Sequence, residues 1–373
     1  MGGRPYNQPS PAAPCQVSDA AAGALTDFTP AEAPRQPASM SPRNPKSLWE
    51  SRRRQGAAAG RTPAPFVVGV NRSGTTLLRM MLDAHPDLTI PPETHFVPEL
   101  IETAEDGATT PEALLATITS QREWGDFGLS EEELLARFEA LDPLTAGGAL
   151  REFYGAYAER IGKPRWGEKT PIYVKSMWAI QSALPEARFV HVIRDGRDVA
   201  LSIRDRATKE HPIDRIAERW VRRITRARAQ AKRLDYYKEI RYEALILDTE
   251  PTLREILEFF ALPWDDAVLD YHQHSAERLE EMKRELPDSG KRTVLSVERR
   301  MMTHARTTEK PDPRRVSRWR EHMDRADREL FESIAGDLLR ELGYATGDGP
   351  DTEPRTAEDQ PGSTGEDAAE AGS

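Results

Sequence analysis

An α/β fold, with a P-loop-like parallel sheet flanked by helices, is what this sequence predicts, and three observations predict it. Short apolar runs alternate with longer stretches of helical periodicity between about residues 64 and 346. A glycine-containing turn follows the first apolar run and opens a helix, the context that a phosphate-binding loop requires. Arginines follow the second apolar run directly, at the place where open parallel sheets bind their ligands.

The elements follow in order. Ala64 to Val70 (APFVVGV) reads as a buried strand. In the next helix Leu77, Leu78, Met81 and Leu82 recur at helical spacing, and Pro86 closes it. Residues 111–162 are mostly helical, with Leu114, Leu115 and Ile118, then Leu134, Leu135 and Phe138, on apolar faces. Arg188 to Ile193 (RFVHVI) is a second buried strand, and helices follow it to about residue 233. Glu239 to Tyr242 is a third, short strand, followed by an amphipathic helix in PTLREILEFFALP. Residues 324–342 form a last helix that closes at Gly343. Strands alternating with helices imply a parallel sheet covered on both faces.

The ends differ from this body. Residues 1–63 hold ten of the 29 prolines and close on the basic stretch Arg52, Arg53, Arg54, which predicts a disordered tail. Residues 347–373, with eight acids, one base and no aromatic, predict a second. The body, 64–346, reads as one large domain or a core with a helical insertion. Of the formal net charge of −10, the first tail carries +4, the last −7 and the body −7. That balance argues against a nucleic-acid coat and against a polybasic membrane anchor. No apolar run approaches the ~18 residues that span a bilayer. Prolines break the N-terminus before a signal-peptide core can form. Cys15 is the only cysteine, which excludes an intrachain disulfide and zinc-finger spacing. The expectation is a soluble protein of the reducing cytoplasm.

The strongest single feature is Gly69-Val-Asn-Arg-Ser-Gly74-Thr75-Thr76. Backbone N–H groups in such a turn, with a helix N-terminus behind them, cradle an anion. The spacing fits GxxxxGK[ST], except that Thr75 stands where the lysine belongs. A nucleoside triphosphatase needs that lysine for its β- and γ-phosphates. Here Arg72 supplies the charge, and its forked guanidinium suits an oxyanion. The second feature is Arg194-Asp195-Gly196-Arg197-Asp198, directly after RFVHVI, with Ser202 eight residues past Arg194.

These residues resemble a known family. Arg72-Ser-Gly-Thr-Thr76 and Val192-Ile-Arg194-Asp-Gly-Arg197 look like the 5′-phosphosulfate loop and 3′-phosphate motif of sulfotransferases that use 3′-phosphoadenosine 5′-phosphosulfate (PAPS). The resemblance is closest to tyrosylprotein sulfotransferases and their bacterial relatives, whose loop continues as RSGTT-L-x-R-x-MLDAHP; Arg72 to Pro86 reads RSGTTLLRMMLDAHP. It extends more loosely over about 64–345 and covers neither tail.

The resemblance implies that Arg72, Ser73, Gly74, Thr75 and Thr76 hold the 5′-phosphosulfate, and Arg194 and Ser202 the 3′-phosphate. It makes Arg206 a further nucleotide contact and places Tyr242, in RYEAL, near the nucleotide; a tyrosine ending a strand can equally be core. It aligns Lys169, in GEKTP, with the lysine that approaches the transferring group, and Glu93, in PPETHF, with the proposed catalytic base. KPDPRRVSRW resembles a segment that closes over the nucleotide, with Arg318 where a lysine is usual, although the segment is one residue shorter. His95 and Glu168 are the other candidate bases, and Glu168 could instead pair with Lys169.

The chemistry needs these residue types. Sulfuryl transfer resembles phosphoryl transfer with less charge: the group passes in line while negative charge builds on the leaving phosphate. A cation at the bridging oxygen lowers that barrier, and a carboxylate takes the acceptor's proton. No metal is required, and no metal motif is present. The expected enzyme is a PAPS-dependent sulfotransferase that releases 3′,5′-ADP (PAP) and sulfates a hydroxyl of a small molecule, glycoconjugate or tyrosine. The alternatives are a P-loop-type nucleotide kinase and a non-catalytic nucleotide-binding protein of the same fold. Relatives often pair, so a homodimer is open. Arg215, Arg219, Arg222 and Arg226 recur at helical spacing, which reads as a solvated face or as an electropositive wall.

Overall fold

The computed structural model describes residues 61–105, 109–205, 211–287, 294–347 and 349. The two expected tails, 1–63 and 347–373, lie outside the described residues except at their inner ends. The expected nucleotide contact Arg206 lies outside them too.

Strand β1 (Ala64–Gly69) turns into helix α1 (Thr75–Asp83), and the short β2 (Leu88–Thr89) returns from it. Four helices follow: α2 (Val97–Glu105), α3 (Pro111–Thr119), α4 (Glu131–Glu139) and α5 (Ala146–Ile161). The last three begin where side chains can cap them. Thr110, Ser130 and Thr145 each accept the N–H three residues on, and Gly162 (φ 79°) ends α5 in the left-handed conformation. Then come β3 (Arg165–Trp166), β4 (Glu168–Lys169), α6 (Met177–Ala183), β5 (Ala187–Ile193), α7 (Gly196–Arg204), α8 (Ile213–Ala231) and β6 (Tyr237–Arg241). The rest of the described chain is mainly helical: α9 (Tyr242–Leu247), α10 (Thr249–Phe259), α11 (Ser275–Leu279), the hairpin β7 (Leu286–Pro287) and β8 (Val294–Leu295), α12 (Val297–His304), α13 (Trp319–His322) and α14 (Arg325–Glu341).

The central sheet is parallel, in the order β4-β1-β5-β6. Strand periodicity of two sorts its apolar residues onto two faces. Phe66, Val68 and Phe189 meet the helical layer with Phe96, Phe153 and Tyr157. Val67, Val190, Val192 and Ile240 face Leu78, Met81, Leu253 and Ile256. A third cluster joins Val70 and Ile193 to Trp220 and Phe331. This is the expected α/β architecture.

The differences from expectation have local causes. The strand β4 has two residues and no apolar run, so nothing in its pattern announces it. The third strand ends at Arg241, and Tyr242 opens α9 instead of closing β6. The return strand β2 pairs with β3, outside the central sheet. Among the described residues no helix is long and apolar enough to cross a membrane.

The N-terminus of α7 is fixed by close packing. A Cβ on Gly196 would stand 2.5 Å from Phe331 Cζ and 2.7 Å from Trp220 Cδ2. Both rings belong to the third core cluster and cannot yield independently. Gly196→Ala is expected to destabilise the fold by about 1–3 kcal/mol, read as a lower urea midpoint at unchanged m-value.

Candidate functional site

Parallel strands put their C-terminal ends on one edge. Gly69 lies beside Val192, Ile193 beside Arg241, and Lys169 beside Val67. The segments that leave β1, β4, β5 and β6 therefore meet, and they carry Arg72, Lys169, Arg194 and Tyr242.

The loop after β1 turns through two left-handed residues, Arg72 (φ 77°) and Gly74 (φ 96°). Glycine adopts this readily; arginine does so at a cost that is usual at ligand sites. Gly74 is also required by contact, because a Cβ there would stand 2.3 Å from the Tyr242 ring. It precedes α1 without a side-chain cap, which leaves the first N–H groups of that helix toward the cleft. Ser73 departs from expectation. Its hydroxyl and its N–H both donate to Val70 O and it is 1% exposed, so neither group turns to an anion in the loop.

Arg194, 6% exposed, is the centre of the cleft. Its Nη1 donates to Arg72 O at 3.2 Å, its Nη2 to Arg315 O at 2.9 Å, and its guanidinium lies 4.3 Å from the Tyr242 ring centroid. Its buried Nε has no hydrogen-bond partner. Arg72 Nε donates to Ser202 Oγ at 3.2 Å. Thr75, Thr76, Lys310, Arg315 and Arg318 complete the walls. Arg318 also reaches Asp205 Oδ2 at 3.1 Å, and Trp319 N donates to Asp198 Oδ1 at 2.9 Å. Burial pushes the Asp198 carboxyl up to about 6. These bonds bring the 307–319 segment across the cleft.

Lys169 and Glu93 form a salt bridge of 2.6 Å (Nζ to Oε1), with Lys169 side chain 2% and Glu93 32% exposed. Lys169 Nζ is 3.4 Å from Thr76 Oγ1, which brings the pair to the phosphate loop. Burial lowers the lysine's affinity for its proton, and the Glu93 charge opposes that. His95 is exposed, with Nε2 3.4 Å from Glu93 Oε2. Glu168, the other carboxylate that the sequence offers as a base, is enclosed. It is fully buried and accepts hydrogen bonds from Tyr154, Thr94 and Thr170, with no opening to an acceptor. No ion pair joins it to Lys169 either, because adjacent strand residues face opposite ways.

With this geometry in hand, residues 63–266 match the sulfotransferase family. The chain belongs to that family. Similar proteins include the protein-tyrosine sulfotransferase of Drosophila melanogaster, 30% identical over 57% of this chain and 40% of its own length. Protein-tyrosine sulfotransferase 1 of Danio rerio is 29% identical over 57% of this chain and 56% of its own. The chain thus spans about half the length of the curated relatives it matches. Among solved structures, the sulfotransferase domain of the Synechococcus PCC 7002 olefin synthase aligns over 73% of this chain and 94% of its own, at 23% identity and a TM-score of 0.47.

In this sulfotransferase-family chain the site thus brings together Arg72, Gly74, Thr75, Thr76, Arg194, Ser202, Tyr242 and Arg318, with Lys169 and Glu93 beside Thr76. Lys310 and Arg315 line the cleft within the segment KPDPRRVSRW to which the resemblance points, although the sequence reading named only Arg318 there and did not name Asp198 as a site residue. The two faces of α8 differ in burial. Ile216, Trp220 and Ile224 are buried, whereas Arg215, Arg219, Arg222 and Arg226 are exposed. Arg223 of the same helix reaches Asn71 of the phosphate loop at 3.5 Å.

Arg194→Lys cannot span both carbonyls with one ammonium, so it should weaken 3′,5′-ADP binding by about 10- to 100-fold in calorimetry. Burial raises the Glu168 carboxyl from 4.5 to about 7 in the folded chain. Between those values the folded state holds a proton that the unfolded state has lost, so stability falls as pH rises through this window. Glu168→Gln should flatten that slope in urea midpoints measured from pH 4.5 to 7.

Proposed function

We propose that this chain transfers a sulfuryl group from PAPS to a hydroxyl of an organic acceptor, with Glu93 as general base. The observation that carries it is the Lys169–Glu93 pair, 2.6 Å apart, set against the phosphate loop. Residues of the cleft fit the co-substrate. Arg194 keeps a buried Nε without a partner, α1 starts uncapped, and Arg72, Arg315 and Arg318 supply charge around them. Ser202 stands beside Arg72, which suits a second phosphate.

The co-substrate supplies an activated sulfuryl group, whose S–O bond to the 5′-phosphate breaks as the acceptor oxygen bonds to sulfur. Lys169 opposes the negative charge that develops on the leaving oxygen. Glu93, a third exposed, takes the proton from the acceptor hydroxyl. The phosphate loop holds the product's 5′-phosphate through its N–H groups and Arg72. The acceptor class we favour is a small-molecule or glycoconjugate hydroxyl in a reducing cytoplasm, where a single cysteine is at home. Tyrosine is the second reading, favoured by the named activity of the relatives.

Calorimetry should give 3′,5′-ADP binding at about micromolar Kd or tighter, near −8 kcal/mol, with ATP and magnesium far weaker. Preference for the triphosphate would sink the proposal in favour of a kinase. Glu93→Gln should keep 3′,5′-ADP affinity and lose transfer of ³⁵S from labelled PAPS by about 10²–10⁴-fold. Near-normal transfer in this variant would move the base to His95.

A further inference from the structure

We propose that Glu168 is a positioning residue, which fixes the Glu93–Lys169 pair through Thr170 and Thr94. This rests on the sulfuryl-transfer reading above. The two residues of β4 divide between opposite faces of the sheet. Lys169 faces Thr76 and Glu93. Glu168 faces the helical layer, where its Oε2 accepts from Tyr154 Oη at 2.6 Å and Thr94 Oγ1 at 3.1 Å, and its Oε1 accepts from Thr170 Oγ1 at 2.5 Å.

Those bonds reach Glu93 within one residue. Thr170 Oγ1, while donating to Glu168, accepts the N–H of Thr94 at 3.0 Å. Tyr173 Oη accepts the N–H of Val97 at 3.0 Å and lies 2.8 Å from Thr94 Oγ1. Thr94 is therefore tied at both its N–H and its hydroxyl, directly after the base. On its other side His95 is held in a left-handed conformation (φ 58°), which a non-glycine residue keeps only when its surroundings impose it. The segment from 93 to 97 is thereby fixed in place.

A carboxylate with no opposite charge in contact is a costly way to build a core. In its ionised form it has one property that no apolar side chain offers: both oxygens accept, so one group can orient three hydroxyls from three segments at once. Those segments are the helix that carries Tyr154, the loop that carries Thr94 and the turn that follows Lys169. The pair on the far side of the strand needs this order, because a misplacement of about 1 Å at a reacting group can cost about 100-fold in rate.

The test uses Thr170→Val, Thr170→Ser and Glu168→Leu in the full chain. Consumption of [³⁵S]PAPS is followed with 7-hydroxycoumarin or with water alone as acceptor, and 3′,5′-ADP affinity by calorimetry. Oxygen of the acceptor bonds to sulfur, the S–O bond to the 5′-phosphate breaks, and the proton passes to Glu93. Thr170→Val is expected to lower kcat by about 10-fold or more with 3′,5′-ADP affinity within about threefold of wild type. Thr170→Ser, which keeps the hydroxyl, should restore kcat to within about threefold. Glu168→Leu should match Thr170→Val if it folds, and Thr170→Val decides the matter if it does not. Wild-type kcat in Thr170→Val, or a parallel loss of nucleotide affinity, overturns the positioning role while leaving the function intact. A wild-type chain that neither binds 3′,5′-ADP nor consumes PAPS with either acceptor overturns the function and the positioning role with it.

Discussion

One guanidinium ties the cleft together. Arg194 donates to the carbonyl of Arg72 in the phosphate loop and to that of Arg315 in the segment across the cleft, and it lies over the ring of Tyr242. Those contacts come from three chain segments far apart in sequence. A buried cation would be expensive alone, but two carbonyl dipoles, an aromatic face and the Asp198 carboxylate, 3.7 Å away, compensate it. Floor, wall and cover of the cleft thus share a single part. Tyr242 in turn limits the space above Gly74, so the glycine, the tyrosine and the arginine constrain one another.

The second electrostatic unit is smaller and more exposed to function. Lys169 is only 2% exposed, and Glu93 is its ion-pair partner in this site. Removing the Glu93 charge leaves the lysine without its ion-pair partner in a poorly hydrated place, which is costlier than the pair itself. The attraction also opposes the loss of the lysine's proton that burial favours. Each charge of the pair therefore holds the other in place. Net charge told nothing of this, because the cations that matter are four or five side chains against a chain total of −10.

Much of this edge was legible in the sequence, for physical reasons. An apolar run ending in a glycine turn can be read as β1 and its loop, and RFVHVI followed by Arg194 as β5 and its ligand end. Other parts leave no periodic trace. A strand of two residues, β4, has no alternation to detect. The β6–α9 junction has no turn between its elements, so nothing in the sequence moves Tyr242 from the end of the strand to the start of the helix. Ser73 fits the phosphate-loop pattern by type, yet the tight turn gives its hydroxyl to Val70 O. Arg315 meets Arg194 through its backbone carbonyl, a contact that side-chain identity does not encode.

Neighbours in sequence became opposites in space at Glu168 and Lys169. Adjacency in GEKTP makes Glu168 a rival base or a partner for the lysine; the pleat of β4 makes it neither. Its carboxylate instead acts at a distance, favouring the charged form of Lys169 across the strand. It also acts by contact, through Thr170 and Thr94, on the loop that presents Glu93. A two-residue strand thus carries one group for each face of the sheet. The face turned away from the cleft helps to decide how the chemistry on the other face is held.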